Sequence, residues 1–312
     1  MSSGRYNGSG AAVTVDGLRK SYGQTEAVRD ISFEVQAGEV FALLGPNGAG
    51  KTTTVEILEG FRDRDAGRVG VLGFDPARRP RAMRRRLGIV LQECAVEPNL
   101  SVKEVLARNA GYYPNPRPVE EVIGLVGLSE KRDSRVARLS GGQQRRLDLG
   151  LGIIGRPDLI FLDEPTTGFD PSARRGAWEL VRSLTTDGTT VILTTHYMDE
   201  AEALADRVAV ISRGRIVAEG PPSSLGGRDV GEARIRFTLP PGHDASELPV
   251  TVPLQQRGDS FEVRTTDELR VLQELIDWSF AKEIPLIALS VERLTLEDVY
   301  LRLTAEDEGS GE

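Results

Sequence analysis

The chain contains one cysteine and only two histidines among 312 residues. A single thiol, Cys94, cannot form a disulfide within the chain, and so few cysteine and histidine ligands exclude a zinc cluster. The sequence is therefore neither a disulfide-stabilised small domain nor a zinc-finger protein.

The sequence also lacks a long apolar run. No stretch approaches the roughly 18 apolar residues that a membrane-spanning helix needs. The first ten residues, MSSGRYNGSG, have no apolar segment of the secretory-signal type, and their Gly and Ser content predicts a disordered lead-in over residues 1–12. We therefore expect a soluble, cytosolic chain, so that any membrane span it works with belongs to a partner.

Charge is distributed unevenly along the chain. The formal net charge is −8, but residues 226–312 carry 9 basic and 18 acidic residues, which leaves +1 for the rest. A globally basic nucleic-acid binder is disfavoured, although a local basic patch is not excluded.

The apolar pattern predicts an α/β fold. Short, continuously apolar runs, typical of strands covered on both faces, occur at 40–44, 87–91, 159–162, 191–194 and 208–211. Helical patterns lie between them, so we expect a largely parallel sheet within residues 13–225. A Gly/Pro/Ser-rich break near residue 220 precedes a small α+β domain over 226–305, with an acidic tail at 306–312. In the small domain we expect strands at 233–239, 250–254 and 261–265, and a helix with Leu269, Leu272, Ile276 and Phe280 on one side.

A phosphate-binding loop follows the first buried strand. Residues 45–52 fit the pattern G-x-x-x-x-G-K-[ST] between a strand and a helix. Backbone N–H groups of such a loop surround phosphate oxygens at the positive end of the helix. Lys51 is expected to pair with the β- and γ-phosphates, and Thr52 to hold Mg²⁺. The predicted nucleotide contacts are Gly45, Pro46, Asn47, Gly48, Ala49, Gly50, Lys51, Thr52 and Thr53.

Two carboxylates, Asp163 and Glu164, end another buried strand. Open α/β sheets bind ligands at the carboxyl ends of their strands. We expect Asp163 to hold Mg²⁺ and Glu164 to polarise an attacking water.

A second anion-binding helix start lies at Ser140, Gly141, Gly142 and Gln143. A hydroxyl and exposed N–H groups at a helix N-terminus favour negative charge. A single nucleotide could bind both helix starts only if they came from different subunits. Otherwise one of the two helix starts would bind no phosphate.

Together these motifs resemble the ATP-binding subunits of ABC transporters over roughly residues 13–225. The resemblance implies a P-loop ABC-type ATPase domain with a helical subdomain, ATP and Mg²⁺ as cofactors, and Glu164, His196 and Lys51 as catalytic residues. It implies that Tyr22 stacks on adenine and that Gln92 senses Mg²⁺ and the γ-phosphate. It also implies that Leu139–Gln143 is the family signature, which caps the ATP held by the opposite subunit. The loop Gly168–Asp170 is implied to cross the dimer interface, with Phe169 where the family more often has leucine. His196 is implied to contact the γ-phosphate and to hold Glu164 in register.

The segments Thr195–Glu202 and Leu296–Leu303 look most like bacterial drug exporters of the daunorubicin-resistance type. The implied partners are a membrane-spanning permease and a second ATP-binding subunit in a homodimer, at the cytoplasmic face of the membrane. The alternative is a soluble ABC-type ATPase acting on nucleic acid or the ribosome. Arginines are concentrated at residues 78–86. This pattern is most typical of a solvated helix face. The alternative is a surface that docks to acidic lipid or nucleic acid.

Overall fold

The computed structural model describes residues 10–90, 96–225, 233–243, 247–249, 254–258, 260–293 and 295–301. The chain divides into two compact units, Met1–Pro222 and Ser223–Glu312. Most of the expected disordered lead-in lies outside the described residues, and the first strand already begins at Ala11. The predicted tail at 306–312 also lies outside them.

A six-stranded sheet forms the centre of the first unit. Its strands are β3 (Val40–Leu44), β5 (Leu87–Val90), β6 (Leu159–Asp163), β7 (Thr190–Thr195), β8 (Arg207–Ser212) and β9 (Arg215–Gly220), in the order β5-β6-β7-β3-β8-β9. All neighbours pair in parallel except β8 and β9. The expected α/β class and parallel sheet are confirmed.

A second, antiparallel sheet consists of β1 (Ala11–Tyr22), β2 (Thr25–Gln36) and β4 (Ala66–Val71), in the order β2-β1-β4. Its apolar side shares one core with the central sheet, and the stacked rings of Phe33 and Phe41, 5.1 Å apart, join β2 to β3. Strands β4 and β9 were not expected, because glycine and charged residues interrupt the apolar alternation that marks a strand.

The helices of the first unit are α1 (Lys51–Glu59), α2 (Arg81–Arg84), α3 (Val102–Ala110), α4 (Val119–Leu125), α5 (Gly141–Ile153), α6 (Pro171–Thr186) and α7 (Met198–Leu204), with short 3₁₀ turns between them. Helices α3, α4 and α5 follow β5 and precede β6 in the chain, and they pack on one another. They form the expected helical subdomain. In the arginine run, α2 exposes Arg81 and Arg84, whereas Arg86 pairs with Asp158 at 2.5 Å. The arginine side chains of α2 are therefore exposed, as both interpretations of the run require.

In the second unit, β10 (Ala233–Thr238), β11 (Leu254–Arg257), β12 (Ser260–Thr265) and β13 (Ile287–Arg293) form an antiparallel sheet in the order β11-β12-β10-β13. Residues 250–253 of one expected strand lie outside the described part of the chain. Helix α8 (Glu268–Lys282) packs on this sheet through Val271, Leu275 and Trp278.

The apolar stripe chosen from the sequence for α8 was wrong. Leu269 and Phe280 are 78% and 80% exposed, and Leu272 is only partly buried. Two stripes of this helix satisfy the i, i+3, i+4 spacing, and the stripe containing the large Trp278 side chain is the one that faces the sheet.

Close packing of α5 on β5 depends on glycine at position 88. A Cβ atom there would lie 2.3 Å from the carbonyl oxygen of Gly152 on α5. We predict that Gly88→Ala lowers the free energy of unfolding by about 1–3 kcal/mol, because the helix must move away from the strand. Urea denaturation would measure this.

The matched control is Gly124→Ala on α4, where a Cβ meets no atom within 4 Å. It should be neutral or stabilising by up to about 1 kcal/mol, since alanine favours helix more than glycine does. Equal effects of the two substitutions would contradict this account of the packing.

Candidate functional site

The loop between β3 and α1 is held tightly against two other strands. A Cβ at Gly45 would lie 2.3 Å from the carbonyl oxygen of Ile211, and one at Gly50 would lie 2.4 Å from that of Ala27. Gly50 also has a φ of 106° at the N-cap of α1, a backbone conformation that side chains disfavour. The loop residues Pro46, Asn47 and Gly48 are exposed. The loop thus offers backbone N–H groups at the start of a nine-residue helix.

Lys51 lies inside this loop. Its Nζ donates hydrogen bonds to the carbonyl oxygens of Gly45 at 2.7 Å and Pro46 at 3.1 Å, and the residue is only 7% exposed. Burial lowers the pKa of Lys51, while the nearby carboxylates of Glu164 and Asp163 oppose that change. The structure therefore brings the phosphate loop and the two predicted carboxylates into one electrostatic site.

The two threonines that follow Lys51 differ in exposure. Thr52 is exposed at the start of α1, and Thr53 is half-buried.

The two carboxylates lie at the carboxyl edge of the central sheet. Strand β6 ends at Asp163, whose Oδ1 accepts a hydrogen bond from the hydroxyl of Thr194 on β7. The backbone N–H of Glu164 donates to the carbonyl oxygen of Thr194 at 3.0 Å. Glu164 Oε1 lies 3.1 Å from His196 Nδ1, and its Oε2 accepts from the hydroxyl of Thr167 at 3.2 Å. The predicted contact between Glu164 and His196 is thus present.

The predicted signature segment begins α5. Ser140 is its N-cap, and its hydroxyl accepts from the N–H of Gln143 at 3.3 Å. The Gln143 Oε1 accepts in return from the N–H of Ser140 at 3.0 Å, which completes a capping box. Ser140 and Gly141 are exposed, whereas Gly142 is half-buried. The helix end is therefore capped by its own side chains, and its outer surface is exposed.

Asp170 caps the N-terminus of α6. Its Oδ1 accepts hydrogen bonds of 2.9 Å from the N–H groups of Ser172 and Ala173, which lower the pKa of Asp170. Phe169, where the resemblance leads one to expect leucine, is buried at 7% exposure. The aromatic substitution is thus absorbed by packing.

Tyr22 ends β1 with its ring 41% exposed. Lys20 Nζ lies 5.6 Å and the Arg62 guanidinium 5.3 Å from its ring centroid. Tyr22 is thus partly exposed, with two cations within cation–π distance of its ring. Gln92, predicted to sense Mg²⁺, lies outside the described residues.

Sequence reasoning missed several residues that fix this geometry. Arg145, on α5, donates through Nη2 to the carbonyl oxygens of Asp163 and, at 2.9 Å, Glu164. Thr167 and Thr194 donate hydroxyl hydrogen bonds to the carboxylates of Glu164 and Asp163. Threonine in a strand or loop carries no signal by itself, although the position of Arg145 five residues after Ser140 places it on the helix that the signature segment begins.

Residues 28–167 match the family model described as "ABC transporter", and residues 233–295 match the model described as "ABC transporter domain-containing protein-like, C-terminal domain". The chain is 39% identical over 304 residues to the Nod factor export ATP-binding protein I of Paraburkholderia xenovorans, covering 95% of this chain and 98% of that protein. This chain belongs to the ABC transporter ATP-binding family.

Two further comparisons agree. The chain is 38% identical to the daunorubicin/doxorubicin resistance ATP-binding protein of Streptomyces peucetius, covering 94% of this chain and 92% of that protein. A solved dimeric ATP-binding cassette in a post-hydrolysis state, bound to ADP and Pi, has the same fold with a TM-score of 0.61 at 23% identity, covering 67% of this chain and 98% of that one. The expected ABC-type ATPase is confirmed, and its ABC domain binds ATP.

The residues fit a Mg²⁺ ion in their chemistry. The predicted ligands are oxygen donors, the exposed Thr52 hydroxyl and the Asp163 carboxylate, and Mg²⁺ is usually held by one or two protein oxygens together with phosphates and water. Within the described part of the chain, no group of three or more His, Cys, Asp or Glu could hold a metal by itself. The donor set therefore suits a metal that arrives with a nucleotide.

Glu59 is a buried acid at the end of the phosphate-loop helix. It is 6% exposed, and burial, together with the neighbouring charges of Asp163 and Glu56, raises its pKa to about 8. Because the folded state holds this proton more tightly than the unfolded state does, stability contributed by the neutral acid is lost as the pH rises from about 5 to 8.

We predict that Glu59→Gln is more stable than the wild type at pH 8, by an amount on the order of a few kcal/mol, since one pKa unit corresponds to about 1.4 kcal/mol. The difference should shrink towards pH 5. Urea denaturation across this pH range measures it, with Glu34→Gln, an exposed carboxylate on β2, as the control. A difference that is independent of pH would contradict the assignment.

Proposed function

We propose that this chain hydrolyses ATP at the site formed by residues 45–53, Asp163, Glu164 and His196, and thereby energises export through a separate membrane-spanning partner. The observation that carries the proposal is the position of Glu164. Its carboxylate contacts His196 at 3.1 Å and lies near the buried Lys51 in the phosphate loop. A base, a histidine and a phosphate-binding cation therefore converge at one edge of the sheet.

Phosphate binding is assigned to the loop and to Lys51. The ammonium group presently bonds two loop carbonyls, and phosphate oxygens offer it stronger, charged acceptors. The N–H groups at the start of α1 add further donors, aided by the helix dipole. Tyr22 is assigned to stacking on adenine.

Hydrolysis is assigned to water held by Glu164. The water oxygen attacks the γ-phosphorus, the bond to the bridging oxygen breaks, and Glu164 takes the proton. His196 keeps the Glu164 carboxylate in place and meets the γ-phosphate. Lys51 and the amide dipoles of the loop stabilise the charge that develops. Thr52 and Asp163, with Gln92, would hold Mg²⁺, which neutralises phosphate charge when it is bound.

A homodimer would complete the site. Ser140–Gln143 is a capped helix start with an exposed outer face, and it is assigned to the ATP held by the opposite copy. Asp170 is assigned to the same interface. The dimeric state of the solved cassette with the same fold supports this arrangement. ATP then joins the copies by satisfying two helix N-termini, and loss of the γ-phosphate weakens the contact.

We predict that Glu164→Gln forms a stable dimer in Mg²⁺-ATP but turns over at a rate at least about 100-fold lower, because the amide cannot accept the proton from water. Sedimentation in ATP and in ADP, together with phosphate release, measures both properties. Glu179→Gln, an exposed residue of α6, is the matched control and should behave as the wild type. A monomeric Glu164→Gln variant with wild-type turnover would refute the proposal.

The membrane partner is inferred from the relatives and from the chain itself. Within the described residues, no helix has the length and apolarity to cross a bilayer. The relatives of similar identity are named for Nod factor export and for daunorubicin/doxorubicin resistance. We therefore assign the chain to the cytoplasmic face of the membrane and the choice of substrate, whether a drug or antibiotic or another molecule, to the permease. The acidic second unit matches the C-terminal domain of the same family.

We predict that the chain sediments with membranes when it is co-expressed with the multi-span protein of a neighbouring reading frame, and stays in the supernatant without it. Binding to RNA or DNA would instead be sensitive to salt and lost on Arg84→Gln/Arg85→Gln, as the alternative of a nucleic-acid or ribosome ATPase requires. The names of the relatives give that alternative no support.

A further inference from the structure

Glu200 is a buried carboxylate to which none of the nucleotide-site motifs assigns a task. It lies in the first turn of α7, four residues after His196, and it is 0% exposed. Removing a carboxylate from water is costly unless hydrogen bonds compensate, so a position of this kind invites a specific explanation.

The partners of Glu200 come from three other segments, namely the loop after β6, helix α6 and the end of β7. Its Oε1 accepts a hydrogen bond of 2.8 Å from the hydroxyl of Thr166, which is itself 1% exposed, and another of 3.3 Å from the indole N–H of Trp178 on α6. Burial raises the pKa of Glu200, whereas the Thr195 and Thr166 hydroxyls and the Trp178 indole oppose that change. One oxygen thus joins α7, α6 and the loop that follows β6.

These contacts close a ring around the candidate catalytic pair. Thr166 lies two residues after Glu164, and the next residue, Thr167, donates to Glu164 Oε2 at 3.2 Å. On the other side, Glu200 lies in the first turn of α7, and His196 lies in the segment just before that helix. The Nδ1 atom of His196 lies 3.1 Å from Oε1 of Glu164. The ring therefore runs from Glu164 through His196 to Glu200, and back through Thr166.

The same loop also sets the start of α6. The N–H of Phe169 donates to the carbonyl oxygen of Thr166 at 3.1 Å, and Asp170 then caps α6. A shift of Thr166 would move both the Glu164 carboxylate and the Asp170 cap.

A separate contact holds α6 and α7 together at the surface. Arg174 Nη1 pairs with Asp199 at 2.9 Å, and its guanidinium lies 4.7 Å from the Tyr197 ring centroid. Arg174 also attracts the Glu200 carboxylate, and Asp199 Oδ1 accepts a hydrogen bond of 3.0 Å from the Glu200 N–H. Because none of these contacts uses the Thr166 hydroxyl, its removal should leave the two helices packed.

We propose that Glu200 is a positioning residue for ATP hydrolysis, which holds Glu164 and His196 in register by fixing the loop through Thr166. The proposal rests on the proposed function, because it assumes that Glu164 and His196 act on ATP. It adds a link between the histidine loop and the Asp170 cap that the motifs do not contain.

The sharpest test is Thr166→Val in the full-length chain, because valine keeps the shape of threonine and removes only the hydroxyl. We expect kcat for Mg²⁺-ATP hydrolysis to fall about 10- to 100-fold, since small misplacements of reacting groups have effects of this size. KM for ATP and the affinity for nucleotide should change less than about threefold, because the phosphate loop is untouched. Thr166→Ser, which retains the hydroxyl, should keep kcat near that of the wild type.

Glu200→Met tests the other end of the bond, because methionine has a similar length and lacks both acceptor oxygens, with Glu179→Met on the exposed face of α6 as the matched control. The Glu200 variant should lose kcat as Thr166→Val does. The double variant should be no slower than the slower single variant, because both substitutions break one contact. Tm is measured for every variant, and the Thr166 pair carries the test if the Glu200 variant does not fold.

Unchanged kcat in Thr166→Val would overturn the proposal, as would a raised KM at unchanged kcat. The proposal would also be overturned if the reductions in kcat of the two single variants multiplied in the double variant. A reduction in kcat that follows a lowered Tm and also occurs in Thr166→Ser would overturn it as well. Failure of the proposed function is recognised separately, because Glu164→Gln would then hydrolyse ATP as the wild type does.

Discussion

Parallel pairing of β6 with β7 is the constraint on which the site depends. Asp163 is registered against Thr194, so the residues that follow each strand, Glu164 and His196, leave the sheet at the same edge. Glu164 adopts a φ of 47°, a left-handed conformation that costs a residue with a side chain about 1–3 kcal/mol. Its backbone N–H donates to the Thr194 carbonyl oxygen at 3.0 Å, which helps to offset that cost and turns the carboxylate towards the histidine.

Charge compensation stabilises the centre of the site. Lys51 is almost fully buried, and isolated burial of an ammonium group would favour its neutral form. The carboxylates of Glu164 and Asp163 oppose this, and two loop carbonyls accept the ammonium hydrogens. These contacts oppose the effect of burial on the pKa of Lys51, and in the proposed function phosphate oxygens take the place of the loop carbonyls.

The parts of the site that were predictable from the sequence are those with a local pattern. The phosphate loop, Asp163 with Glu164, and Ser140–Gln143 each have residue types that a strand end or a helix start requires, so their combination in one chain located them, and the resemblance to the ABC family supplied the predicted role of Ser140–Gln143. Arg145, Thr166, Thr194 and Glu200 act on residues 18 to 34 positions away, and no local pattern reports such contacts. The misjudged face of α8 has the same origin, because two stripes fit the period and only the sheet decides between them.

The carboxylates of this site share one feature, because each accepts a hydrogen bond from an uncharged threonine hydroxyl. The hydroxyls of Thr194, Thr167 and Thr166 donate to Asp163, Glu164 and Glu200, respectively. A hydroxyl orients a carboxylate without neutralising it, whereas an arginine or lysine would hold it more strongly and cancel its charge. The nearby guanidinium of Arg145 is directed to the backbone carbonyls of Asp163 and Glu164 instead. The negative charge of Asp163 and Glu164 therefore stays available to Lys51. In the proposed function it also serves to hold Mg²⁺ and to accept a proton from water, whereas the buried Glu200 only positions these groups.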